Sequence, residues 1–277
     1  MPSPSNTAAA APDDRSSNSN PNIIKTKHIF WECEVDFDAQ ILHGTATYTL
    51  EYVTPGARLL KLDTSHLKII KVVSDPFHEA LPYTLHPIDP KKAHLGQQLS
   101  ITLAADELQK KIDKVTIEYT TTPKSSAAQW LPPAQTTGKK YPYLFTQAQA
   151  IHARSLLPCQ DRPGVKATYN AKVTVPSWAT CVMSAVLKGS CISVDGDKKE
   201  WTWEQPVPIS SYLIAMAVGE LAKKDISDRC AVWSEPSVVE AAAYEFAQTE
   251  GNSIILMSCY AAKVYFLSLR TLSFLNH

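Results

Sequence analysis

The chain has 277 residues, in which 27 Lys and Arg balance 27 Asp and Glu. Dispersed charge with no net excess excludes the strong field that draws a protein to nucleic acid or an anionic membrane. An apolar fraction of 44 % is ordinary for a globular protein, and the length suits one large all-β domain or two smaller ones.

Residues 1–22 are rich in Ser, Asn, Pro and Ala, with Asp13, Asp14 and the lone cation Arg15. Lacking a basic start and a long apolar run, they read as a flexible tail and not as a secretion or transit signal. From Trp31 a period of two takes over. Trp31, Cys33, Val35 and Phe37 alternate with Glu32, Glu34 and Asp36, and Ala46, Tyr48, Leu50 and Tyr52 alternate with Thr45, Thr47, Thr49 and Glu51. The same alternation recurs at Leu99, Ile101 and Leu103, at Val115, Ile117 and Tyr119, and at Ala171, Val173 and Val175. Each run predicts a half-buried strand with its large side chains in the core. Connecting stretches such as 74–89 and 194–199 carry Pro, Gly, Asp and His. The predicted fold is mainly β, with packed and largely antiparallel sheets and almost no helix before residue 234.

The segment from Tyr141 to Asp161 has unusual polar content. Read as an extended strand, it sets Gln147 and Gln149 on one face, with Ala148 and Ala150 opposite and His152 and Arg154 continuing the polar row. Two amides, an imidazole and a guanidinium suit recognition of amines, carbonyls and carboxylates. A polar outer face without recognition is the alternative, and composition alone favours it.

Around Glu220 the pattern changes. Val232 and Trp233 predict one more strand, and Pro236 with Ser237 and Glu240 predicts a helix entry closed by a capping box. Val239, Ala242, Ala243, Phe246 and Ala247 then share one helical face. Residues 251–277 are strongly apolar, yet Lys263 and Arg270 interrupt them, which disfavours a membrane span. A partner-binding helix or a divergent replacement end are the remaining readings.

Six cysteines (Cys33, Cys159, Cys181, Cys191, Cys230 and Cys259) lie far apart with no Cys-x-x-Cys pair, as expected of thiols in a reducing compartment such as the cytoplasm. Cys159 with His152 is a conceivable nucleophilic pair, although a packed thiol is the better reading. No two of the eight histidines are four apart with a Glu after the first. The nearest imitation, His78-Glu79-Ala80-Leu81-Pro82, puts proline at the second position, where it would break the helix that brings two imidazoles to one face.

The run Gln147-Ala-Gln-Ala-Ile-His152-Ala-Arg154, continued by Pro158-Cys-Gln-Asp161, resembles a stretch of the leukotriene A-4 hydrolase-like zinc aminopeptidases. The likeness extends over Leu131–Phe145, Pro206–Gly219, Val232–Glu235 and Ala243–Phe246, and covers about residues 26–250. It implies an aminopeptidase N-like amino-terminal β domain over 23–222, then the start of a catalytic domain over 223–250, flanked by the 1–22 tail and the divergent 251–277 end. It further implies peptide hydrolysis from the amino end and, in some members, epoxide hydrolysis. Gln149 matches the family glutamine that helps hold the substrate's amino end, and Gln147 matches the neighbouring pocket residue. His152 and Arg154 are expected to be structural, bonding backbone carbonyls or the Asp161 carboxylate. The family holds zinc with His-Glu-x-x-His plus a further Glu and binds the peptide amino terminus with a Gly-Gly-Met-Glu-Asn loop; neither motif occurs here. The expectation is therefore a chain with no cofactor and no catalytic residue of its own. A peptide amino terminus would be its partner only within a complete enzyme. A non-catalytic β interaction module and a non-functional truncated product are the alternatives.

Overall fold

A computed structural model describes residues 15–253 apart from 76–77, 104–111, 193–195 and 229. In chain order its strands are β1 (Ile24–Asp36), β2 (Ile41–Tyr52), β3 (Leu59–Thr64), β4 (Lys68–Asp75), β5 (Tyr83–Leu85), β6 (Gln97–Thr102), β7 (Lys114–Thr120) and β8 (Ala128–Leu131). They continue as β9 (Tyr143–Thr146), β10 (Lys166–Pro176), β11 (Thr180–Met183), β12 (Val186–Ile192), β13 (Lys198–Ser210), β14 (Met216–Gly219), β15 (Ala222–Asp225) and β16 (Ala231–Ser234). A single α-helix, α1 (Val239–Ser253), closes the described chain.

A seven-stranded sheet in the order β12-β13-β10-β1-β2-β7-β4 forms the largest layer. Its strands obey the alternation read from the sequence: Trp31, Cys33, Val35, Ala46, Tyr48, Val115, Ile117, Tyr119, Ala171 and Val173 are buried. Glu32, Glu34 and Lys172 face outward and form ion pairs, Lys172 with Glu32 and Lys198 with Glu34. Pairing is antiparallel except between β1 and β10, which run parallel in the register Trp31–Ala171 and Cys33–Val173. A four-stranded sheet (β11-β14-β9-β8) and a three-stranded one (β3-β6-β5) share the main core with it. Register shifts interrupt both outermost strands of the large sheet, between Leu187 and Gly189 in β12 and between Ile69 and Lys71 in β4.

Two tyrosines show how the core fits polar atoms. The Tyr119 hydroxyl accepts from the Trp31 indole at 2.8 Å, and the Tyr48 hydroxyl donates to the Pro158 carbonyl. The Tyr119 ring lies across Gly44 on the neighbouring strand, where an added β-carbon would stand 2.5 Å from the ring. Glycine is needed there because the ring occupies the place a side chain would take. His78–Pro82 forms no helix; Glu79 and Leu81 pair through their backbones with Ser74 and Val72.

Helix α1 packs Val239, Ala242, Ala243 and Phe246 with Val232, Ala222 and Ile226 in a small cluster separate from the main core. Ala247, expected on the same face, is exposed. The expected capping box is also replaced: α1 begins at Val239, the Ser237 hydroxyl meets Thr137 at 2.8 Å, and Glu240 pairs with Lys224. Among the described residues no helix is long and apolar enough to cross a membrane.

The tail expected over 1–22 is anchored from Ser16 onward by a buried ionic cluster. Arg154, 1 % exposed, donates from Nε to Asp161 Oδ2 at 2.9 Å, from Nη1 to the Leu95 carbonyl and from Nη2 to the Ser16 and Asp161 carbonyls. Ser211 donates to the other Asp161 oxygen at 2.6 Å. Asp63, 4.0 Å from Nη1, accepts from the Ser17 hydroxyl and from the Asn18 and Asp161 amides. Burial raises the Asp63 carboxyl above the usual carboxylate range, while Arg154 and the three donors act in the opposite direction. By linkage, ionising Asp63 costs stability as the pH climbs past the ordinary carboxylate value, and the cost levels off above the raised one.

Three outcomes follow from this packing. Asp161→Ala strands a buried guanidinium and should lower the unfolding free energy by about 3–5 kcal/mol, whereas Asp63→Asn should cost only about 1–2 kcal/mol. Urea unfolding measures both, and equal losses would contradict the division of labour drawn here. Gly44→Val should cost about 1–3 kcal/mol by displacing the Tyr119 ring, a change also visible in near-ultraviolet dichroism.

Candidate functional site

The Gln147–Arg154 segment is not a strand. β9 ends at Thr146, a turn spans residues 149–152, and a 3-10 turn follows over Ala153–Ser155. The polar row of four side chains is thereby corrected. An unbroken strand would not have aligned them either, since the step from Gln149 to His152 is odd and reverses the face. What survives is the local pair: Gln147 and Gln149 are exposed and Ala148 between them is 2 % exposed.

Backbone bonds fix this turn to the four-stranded sheet. The Gln147 amide donates to the Ala127 carbonyl at 2.8 Å, and the His152 amide donates to the Ala148 carbonyl at 2.9 Å. Ser155 braces the base, its hydroxyl accepting from the Ala127 amide and donating to the His152 carbonyl. The Gln149–Ala150 peptide is cis. The two amide side chains thus extend from a fixed turn, each able to accept from an ammonium and donate to a carbonyl.

His152 and Arg154 part company from the glutamines. The His152 ring meets the Ser126 hydroxyl at 2.7 Å, and Arg154 turns inward to Asp161 and three backbone carbonyls, as expected of structural residues. Cys159 is buried among apolar side chains, and burial, with Asp161 and Asp63 nearby, holds its thiol well above the usual range. A protonated, enclosed thiol does not serve as a nucleophile, so the Cys159–His152 pairing has no support.

Glu235, to which the sequence reading gave no role, is 5 % exposed at the start of the α1 unit. One of its oxygens accepts from the Thr137 amide at 2.8 Å and the Gly138 amide at 3.4 Å, while the other is buried without a partner. Close by, the Tyr143 ring lies against Gly219, and burial together with Glu235 pushes the Tyr143 phenol upward. The carboxylate therefore clamps the β15–β16–α1 unit onto the loop that leads into β9. Its signal in the sequence was a Glu between a strand and a Pro, which reads as an exposed turn residue.

Among the described residues no three His, Cys, Asp or Glu side chains converge on a point where they would hold a metal ion. His28 and His86 bond Thr168 and Ser100, on different sheets. This donor set does not fit the zinc that the resemblance implies.

The Peptidase M1 N-terminal domain family matches residues 23–213, more than half of the chain. The chain is similar to leukotriene A-4 hydrolase of Xenopus laevis, 38 % identical over 239 residues that cover 86 % of this chain and 38 % of that protein. It is 35 % identical to leucine aminopeptidase 2 of Pyricularia oryzae, again over 86 % of this chain and 38 % of that one. Yeast LTA4 hydrolase, solved in complex with bestatin, superposes with a TM-score of 0.77 at 31 % identity, covering 89 % of this chain and 37 % of that chain. An M1 zinc metallopeptidase of Deinococcus radiodurans shares the fold, with a TM-score of 0.56 at 19 % identity over 76 % of this chain and 46 % of that one. The chain spans well under half the length of the relatives it matches. With its layered β architecture matched by both sequence and structure, this chain belongs to the M1 peptidase family and carries the family's N-terminal domain.

Proposed function

We propose that residues 23–222 form one wall of the substrate cleft of a leukotriene A-4 hydrolase-like aminopeptidase, with Gln147 and Gln149 receiving the amino end of a peptide. The supporting observation is the braced turn after β9, which presents both amides to solvent from a fixed backbone. An ammonium leaving water needs acceptors at fixed positions, and a side-chain amide supplies one without a charge that would require its own partner. The Glu235 clamp supports the same reading, because it fixes the following unit against the loop leading into β9.

On this reading the 277-residue chain is catalytically incompetent by itself. The chemistry of a zinc aminopeptidase polarises the scissile carbonyl and activates a water with a metal ion, and the residues described here do not assemble ligands for one. The free and largely buried thiols Cys33, Cys159 and Cys181 suit a cytoplasmic location.

The purified chain should contain far less than stoichiometric zinc by metal analysis and should release no amino acid from aminoacyl-amide substrates above buffer. Bound zinc at one ion per chain, with hydrolysis that a chelator abolishes, would overturn the proposal of incompetence. The proposal for the glutamines is tested in a longer chain that has the activity. There Gln149→Ala should lower kcat/KM about tenfold, in line with about 1.4 kcal/mol for a lost hydrogen bond to a charged group. An unchanged value would remove Gln149 from the site.

A further inference from the structure

A second recess, away from the Gln147–Gln149 turn, is built from the amino-terminal arm, β3 and the 3-10 turn Pro90–Leu95. It encloses about 760 Å³, within the range of roughly 300–1,000 Å³ common for small-molecule pockets. Arg15, Lys61, Lys92 and His94 line it, together with Asn18 and Ser19, and among the described residues no carboxylate does. That composition is unusual in a chain whose acids and bases are equal in number. Several lysines elsewhere are paired: Lys27 with Glu51, Lys114 with Asp75, Lys172 with Glu32, Lys188 with Glu204 and Lys224 with Glu240. Among the described residues the recess cations form no ion pair, so their charge is directed into the open space.

The recess also has a rigid back wall. Ser17 and Asn18 are bonded to buried Asp63, and Asn20 spans β3 by donating to the Leu59 carbonyl and accepting from the Lys61 amide. The Arg154 guanidinium donates to the Ser16 and Leu95 carbonyls and so ties the amino-terminal arm to the 3-10 turn. Both Asp63 oxygens are taken up by Ser17, Asn18 and Asp161, which leaves the cations to set the character of the opening. Separate elements are thus held so that three or four cationic side chains surround one space, as recognition of a multiply charged anion requires.

We infer that this recess binds a small phosphorylated molecule carrying at least two phosphate groups, through Arg15, Lys61, Lys92 and His94. Lysine ammonium groups act as point charges on phosphate oxygens, and arginine adds a planar fork of donors. The enclosed volume favours a soluble metabolite over a flat anionic surface.

Titration calorimetry of the full chain with inorganic tripolyphosphate tests the inference. A single saturable site is expected, weakened about tenfold or more between roughly 50 and 300 mM salt, as screening of several charges demands. Lys61→Gln with Lys92→Gln should raise Kd at least about tenfold, and Lys92→Gln with His94→Gln, both at exposed positions, should do so without any risk to folding. Lys27→Gln with Lys172→Gln, whose lysines are already paired, should leave Kd unchanged. A parallel arm measures sedimentation with phosphatidylserine-containing vesicles. Absence of saturable tripolyphosphate binding, equal weakening by the Lys27/Lys172 control, or binding to vesicles alone would each overturn the assignment.

Discussion

The fold turns on one buried guanidinium. Arg154 lies in the core with Nε, Nη1 and Nη2 all engaged, and its partners come from parts of the chain far apart in sequence: Ser16, Leu95 and Asp161, with Asp63 close by. A buried ion pair adds little net stability over an apolar replacement of the same shape. What the cluster supplies is geometry. The segment carrying it also bonds β1 through Gln160 and pairs with β3 through Cys159. The segment carrying Gln147 and Gln149 lies a few residues upstream, so its position depends on the same anchor.

Strands were the most legible part of the sequence because their signal is local. A period of two in Trp31–Phe37, Ala46–Tyr52 and Val115–Tyr119 reports directly on which side chains are buried, and those residues line the core or pack against it. Partners distant in the chain leave no such trace. Nothing in β1 or β10 announces that they pair in parallel, since each alternates as an antiparallel strand would. Asp63 belongs to a strand whose neighbours are Leu60 and Leu62, and its donors lie 45 and 98 residues away. Arg154 was expected to bond carbonyls or Asp161 because a guanidinium near a carboxylate has few other roles, and it does both. No strand forms over 147–154, because the chain turns back on itself through the Ala148–His152 bond, a contact that polar spacing does not encode.

This chain carries the N-terminal domain of the M1 peptidase family. The residues described here supply surfaces and supports: amides on a turn, a carboxylate clamp at Glu235 and a packed β framework. Glu235 shows how the two units are joined. Its small cluster of Val232, Val239, Ala242 and Ala243 is separate from the main core, and polar contacts at Thr137, Gly138 and Ser237 add to the packing of Leu221 and Trp233 against that core.

The register shifts at the outer strands of the seven-stranded sheet have a colloidal consequence. A regular edge strand offers a row of amides and carbonyls on which a second sheet can template itself. Along β4 the returning chain covers part of that row, since Leu81 and Glu79 bond to Val72 and Ser74. At β12 the irregularity between Leu187 and Gly189 twists the row, and the lysine between them, Lys188, sets a charge on it. A wide sheet with hydrophobic strands is thereby made a poor seed for fibrillar growth, a protection built into its two flanks.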